Sequence, residues 1–144
     1  MTTDDVTAGG HGPLTRATDA LQRRNLAAAL DACAPGIVLH DVARAWDVRG
    51  HEALREVLDA WAAALPDWTI AASTLTETPD RGGVQLVVRG THTGPFEDDW
   101  GPVPTSGKAV EIQAALVCTV RDGLLDQIYL YHDLATLLVA VGAL

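Results

Sequence analysis

The sequence predicts an α+β fold, with helices laid across the concave face of a curved, mostly antiparallel sheet so that a cone with a pocket inside is left. Two observations predict it. Helix-period apolar residues gather in the first half of the chain, and strand-like alternation fills the second half before a short apolar helix closes it. Segregated helices and strands mean α+β rather than a βαβ repeat. The length of 144 residues suits one domain, and a domain of this size buries about 70% of its unfolded surface.

The elements follow in order. Residues 1–13 are polar and glycine-rich and read as a flexible leader; residues 14–144 read as the single domain. Leu14, Ala17 and Leu21 have helical spacing, and Arg23 and Arg24 suit a helix C-terminus. Asn25 reads as the N-cap of a second helix over 26–34, stopped by Pro35-Gly36. Residues 37–41 read as a short strand, followed by a loop holding Trp46 and Gly50. A third helix over 51–65 carries Leu54, Val57, Leu58, Trp61 and Leu65 on one stripe. Strands are expected over 68–78 and 84–93, with a turn between them. Residues 94–107 have the Gly and Pro content of a long loop. Strands over 108–120 and 124–133 flank Arg121-Asp122-Gly123, and a last helix covers 134–141.

Composition excludes several classes. With 10 Lys and Arg against 19 Asp and Glu the net charge is −9, which disfavours nucleic acid or an anionic membrane as partner. Residues 134–144 form the longest apolar stretch, too short to span a bilayer. The first residues carry Asp4 and Asp5 and no apolar run, so no secretory leader is expected and a cytoplasmic location is. Cys33 and Cys118 have no ligand-like spacing, and His51-Glu52 lacks a second His one turn on, so no metal site is expected. Ser73 and Ser106 lie outside any nucleophile-elbow pattern.

The last hairpin carries the most chemistry. Alternation puts Glu111, Gln113, Ala115, Val117 and Thr119 on one face of its first strand and Ile112, Ala114, Leu116 and Cys118 on the other. On the second strand Tyr129, Tyr131 and Asp133 share a face opposite Ile128, Leu130 and His132. A three-residue Arg121-Asp122-Gly123 loop would set Gln113 against Tyr131 and Glu111 against Asp133, so polar meets polar. Turned inward, that face would be a pocket wall in which a second carboxylate and burial raise the pKa of Asp133 toward general acid/base use. Two plainer readings stand beside this: Asp133 directly precedes a helix and can be its N-cap, and Glu111 can be a solvated edge carboxylate.

Four segments then resemble a known family: Gly90-Thr91-His92-Thr93-Gly94-Pro95-Phe96, Pro104-Thr105-Ser106-Gly107-Lys108, Val120-Arg121-Asp122-Gly123, and the ending from Tyr131-His132-Asp133 to Leu138. They are similar to the SnoaL-like polyketide cyclases and ester cyclases of the nuclear transport factor 2-like superfamily. The resemblance implies a cone-shaped α+β barrel and an enzyme that closes a ring on a polyketide by an intramolecular aldol step, without a cofactor. It places the acid/base aspartate near the end of the last strand, at Asp133. Ketosteroid isomerase, in the same superfamily, keeps its base aspartate just after the first strand, where Asp41 stands; its oxyanion-hole tyrosine has no match. The chain departs from the family at His132, where an aromatic or apolar residue is common, and at Val139-Ala140-Val141-Gly142, where Gln-Leu-Gly is usual.

The expected site is therefore catalytic Asp133 and Asp41. Glu111, Gln113, Tyr129, Tyr131, His40, His92, Trp46, Trp61, Phe96 and Trp100 are expected as substrate contacts. His40 and Asp41 point to opposite faces of one strand, and Asp41 is the one expected inward. The expected partner is a small hydrophobic carbonyl compound. The apolar face of Ile112, Leu116, Ile128 and Leu130, if left outside, predicts a two-fold dimer. A non-catalytic ligand-binding or scaffold module of the same fold is the rival reading, and a hydratase or hydrolase using Asp41 the third.

Overall fold

The computed structural model describes residues 12–98 and 101–142. Helices α1 (Pro13–Gln22) and α2 (Leu26–Asp31) lead into strand β1 (Cys33–Asp41), strand β2 (Trp46–Arg49) and helix α3 (His51–Ala64). Strands β3 (Thr69–Glu77), β4 (Arg81–Thr91), β5 (Phe96–Asp98), β6 (Gly101–Val103), β7 (Ala109–Arg121) and β8 (Leu124–His132) follow, and helix α4 (Leu134–Ala140) ends the described chain. Six strands form one sheet in the order β2-β1-β8-β7-β4-β3, and β5 with β6 forms a separate small hairpin. Every pairing is antiparallel except that of β1 with β8. This is a mixed α+β fold with a curved sheet.

Local chemistry accounts for most boundaries. Asn25 caps α2 by accepting from the Ala28 N–H at 3.0 Å. The second helix is shorter than its sequence predicts because Cys33 already pairs with Leu125 in the sheet. Pro35 and Gly36 fall in the register shift between Cys33 and Val38, where a residue without an N–H is tolerated. Trp46, expected in a loop, lies in β2, paired with Asp41 across a tight turn. Helix α1 has no local side-chain cap. Glu77 on β3 supplies one, accepting from the Leu14 N–H at 2.7 Å, the Thr15 N–H at 3.1 Å and the Thr15 hydroxyl at 2.7 Å. Residues 1–11 of the expected leader lie outside the described residues.

The last hairpin corrects the expected turn. Arg121 pairs with Leu124 around Asp122 and Gly123, whose φ values of 54° and 76° are those of a two-residue type I′ turn. A register shift then follows between Thr119 and Val120, so Ala115 lies opposite Tyr131 and Val117 opposite Tyr129. The expected partner of Tyr131 was Gln113, two residues away. A shift of two preserves the side-chain alternation, so the polar faces still coincide.

Which face is inside is the larger correction. Ile112, Cys118, Leu125 and Ile128 are in the buried core. Glu111 and Gln113 are exposed, as are Val117 at 50% and Tyr131 at 47%. The polar face of the hairpin is the outer wall of the sheet. Burial of carbon surface decides this: α1 and α3 bring Leu14, Ala17 and Leu54 against Ile37, Leu39, Leu86, Cys118 and Ile128, and only the apolar side of the hairpin gains by meeting them. The face from which a two-fold dimer was expected is thus covered within the monomer.

At the other end of α3, Gly94 passes the last helical turn so closely that a Cβ there would sit 1.6 Å from the Ala63 carbonyl oxygen. Its N–H donates to the Ala64 carbonyl at 3.1 Å. This contact brings Phe96 on β5 to 6.2 Å from the Trp61 ring.

Candidate active site

The parallel pairing of β1 with β8 sets Asp41 beside Leu130 at the end of both strands, on the inner side. His132, two residues after Leu130, is on the same face. Its Nε2 lies 2.9 Å from Asp41 Oδ1. The two side chains are only 3% and 7% exposed. An ionised carboxylate only accepts hydrogen bonds, so Nε2 carries a proton, and the tautomer this selects for the uncharged ring has its lone pair on Nδ1. Among the described residues Nδ1 has no hydrogen-bond partner. The Trp61 ring meets His132 edge-on at 5.9 Å and 90°.

Asp41 also organises the turn that follows it. Its Oδ1 accepts from the Arg44 N–H at 3.3 Å, and its Oδ2 lies 3.9 Å from Arg44 Nε. Burial alone would raise the Asp41 pKa; the hydrogen bond and charge of His132, then the N–H and charge of Arg44, outweigh burial and hold it below the usual carboxylate value. The carboxylate therefore stays ionised and fixes the imidazole's tautomer and orientation.

Two cavities meet at this pair. The first, about 190 Å³, lies between the helices and the sheet. His132 lines it; apart from His132 and the Cys33 thiol its walls are Leu, Ile, Val, Ala and Trp side chains. The second, about 320 Å³, is lined by Asp41, Arg44, Trp46, Phe96 and Glu97 among others. Leu39, Val57 and Trp61 line both, so the His132–Asp41 pair bridges the wall between an oily chamber and a more polar one. A buried imidazole held by a carboxylate, in walls that exclude water, can take a proton from carbon and return it.

The sequence-predicted residues divide as follows. Asp41, Trp46, Trp61 and Phe96 line one or both cavities. Asp133 does not: it is exposed and caps α4, accepting from the Thr136 N–H at 3.0 Å and from the Thr136 hydroxyl. Those hydrogen bonds hold its pKa below the usual value, the opposite of the raised value expected for a pocket carboxylate. Glu111 is bound on the outer face by Arg89 Nε at 2.7 Å. Gln113 and Tyr131 are on that face too, and Tyr129 stacks on His40 there at 4.4 Å between ring centres. These six are corrected from pocket to outer wall or cap, for the burial reason given above. His92 is buried beneath the β5–β6 hairpin, its Nδ1 3.0 Å from the Ser106 hydroxyl, and lines neither cavity. Trp100 lies outside the described residues.

Sequence reasoning missed His132 and Arg44 as site residues. The signal for His132 was present: it is the one titratable group ending an otherwise apolar strand face, and a departure from the resembled family. Arg44, in a turn without a pattern, gave no signal. Burial raises the thiol pKa of Cys33 to about 11 and of Cys118 to about 12, so both stay protonated and pack as core. Among the described residues no group of three or more His, Cys, Asp or Glu is placed to hold a metal ion, and no helix is long and apolar enough to cross a membrane.

The mixed α+β fold is similar to that of solved structures described as an NTF2-like protein from Burkholderia pseudomallei and as a protein with a ketosteroid isomerase-like fold from Catenulispora acidiphila. The model of the SnoaL-like polyketide cyclase family matches residues 13–141, and the chain belongs to that family. Its fold is similar to the structure of a protein from Jannaschia named as a SnoaL-like polyketide cyclase, with a TM-score of 0.78 and 21% identity over 92% of this chain and 90% of that one. It is similar also to TsrD from Streptomyces laurentii, with a TM-score of 0.75 and 22% identity over 100% and 99%. IdmH from Streptomyces antibioticus, named as a polyketide cyclase, gives a TM-score of 0.68 and 24% identity over 99% of both chains. No curated protein matches the sequence.

Proposed function

We propose that this protein catalyses proton transfer next to a carbonyl group of a small hydrophobic substrate, in an aldol-type ring closure on a polyketide or a related isomerisation. The observation that carries the proposal is the buried His132–Asp41 pair, with Nδ1 unengaged, at the wall of an apolar chamber. His132 Nδ1 takes the proton alpha to the carbonyl and leaves an enolate. The enolate carbon bonds to a second carbonyl carbon of the same molecule, and the alkoxide so formed recovers the proton from Nδ1. The product is an isomer of the substrate, and no oxidant or reductant enters. Asp41 keeps Nε2 protonated and offsets the charge of the transient imidazolium. The apolar walls fold the substrate so that its reacting carbons meet.

The test is deuterium uptake at the methyl group of 2-acetylnaphthalene in D2O, followed by NMR. The wild-type protein should accelerate exchange, and His132→Gln should slow it by about 10²–10⁴-fold, the usual worth of a positioned general base. Asp133→Ala should exchange at the wild-type rate. Undiminished exchange in His132→Gln would refute the assignment. Binding without catalysis is favoured by one feature, the almost wholly apolar lining of the first chamber; it would show as probe binding with no exchange in the wild type.

A further inference from the structure

Arg44 is a buried cation whose hydrogen-bonding capacity is unspent. Its side chain is 8% exposed. Among the described residues its guanidinium donates no hydrogen bond, and Nη2 is a buried donor without a partner. Its ionic neighbour among the described residues, Asp41 Oδ2, lies 3.9 Å from Nε, beyond hydrogen-bond distance. A guanidinium has five N–H donors in a planar fork, and burying them unpaired is costly.

What holds Arg44 in place is a ring of aromatic faces. Its Cζ lies 4.8 Å from the Trp46 ring centre, 5.4 Å from Trp61 and 5.6 Å from Phe96. Cation–π contacts engage the guanidinium without consuming its N–H groups. The result is a positioned, dehydrated, unsatisfied cation on the wall of the second cavity, with flat aromatic surfaces around it.

We propose that Arg44 anchors a carboxylate carried on a flat ring in the second cavity, so that the preferred substrate of the reaction proposed above is a planar hydrophobic carbonyl compound that also bears an acid group. A carboxylate matches the fork of the guanidinium with two parallel hydrogen bonds. The aromatic side chains stack on a ring beside it. A phosphate dianion fits less well, because Asp41 and Glu97 line the same cavity and would repel a second negative charge. Anchoring the acid group beside Asp41 leaves the apolar remainder to cross to the first chamber, past His132.

The proposal deepens the acid/base reading of the same site, and its test is a binding measurement independent of turnover. Calorimetric titration of the full chain compares 2-naphthoate with its neutral isostere 2-naphthamide. The wild type should bind the acid at least about tenfold more tightly, as expected for a buried charge-assisted pair. Arg44→Met should abolish the preference, and Arg44→Lys should restore only part of it. His132→Gln should keep it. Equal affinity for the two probes in the wild type, or no binding of either, overturns the proposal without recourse to any variant; so does a preference that survives in Arg44→Met. No deuterium exchange by the wild type, or undiminished exchange in His132→Gln, with the acid preference intact would refute the role of His132 and leave that of Arg44 standing.

Discussion

His132 and Asp41, 91 positions apart in the chain, meet with Nε2 2.9 Å from Oδ1. Parallel pairing of the first and last long strands ends both at the same level and creates this contact. If Asp41 serves to orient His132 and offset its charge, Asp41→Asn should leave the fold intact. The asparagine amide would present a donor to Nε2 and favour the wrong tautomer. Deuterium exchange should then fall by about 10²–10⁴-fold, measured alongside an unchanged circular dichroism spectrum.

The first chamber offers a test by filling. Ala114 lines it and pairs with His132 across the β7–β8 ladder. Ala114→Leu should occupy part of the space and stabilise the protein by about 1–2 kcal/mol, because unfilled apolar volume is destabilising. The same change should weaken binding of 2-acetylnaphthalene. Thermal denaturation and titration check the two arms, and lowered stability with unchanged binding would place the ligand elsewhere.

On the outer face, His40 is held between two acceptors, with Nδ1 2.8 Å from Asp47 Oδ1 and Nε2 2.9 Å from Gln127 Oε1. The hydrogen bond to Gln127, then that to Asp47, raises its pKa above 6.5 against a smaller opposing effect of burial. A pKa raised on folding means that the native state binds the proton more tightly than the unfolded chain. This contribution to stability is complete below about pH 6.5 and is lost as pH rises through the folded-state pKa. Denaturant titrations at pH 5.5 and pH 8.5 should show that difference in the wild type and a smaller one in His40→Gln.

Glu77 caps α1 from a distant strand through three hydrogen bonds. Glu77→Ala should destabilise the protein by about 1–2 kcal/mol, the range for losing a charged helix cap. Gly12→Ala should act in the same direction, because its Cβ would fall 2.3–2.5 Å from the Glu77 carboxyl group. Urea denaturation measures both, and a neutral result for Glu77→Ala would remove the cap from the account of α1.

Much of this protein was legible in its sequence because the relevant physics is local. Helical spacing marked α1 and α3, Asn25 marked the start of α2, and alternation along residues 111–133 sorted the hairpin into a polar and an apolar face even though the turn type differs from the one its sequence predicts. The resembled segments led to the family. Only the tertiary structure decided which hairpin face lies inside, because that depends on what the helices bring against the sheet, and they bring carbon. The same packing turned Asp133 into a cap and drew His132 to Asp41 and Arg44 into an aromatic ring of neighbours. Contacts between residues so far apart in the chain leave no periodic trace in it; they exist only once the first strand lies parallel to the last.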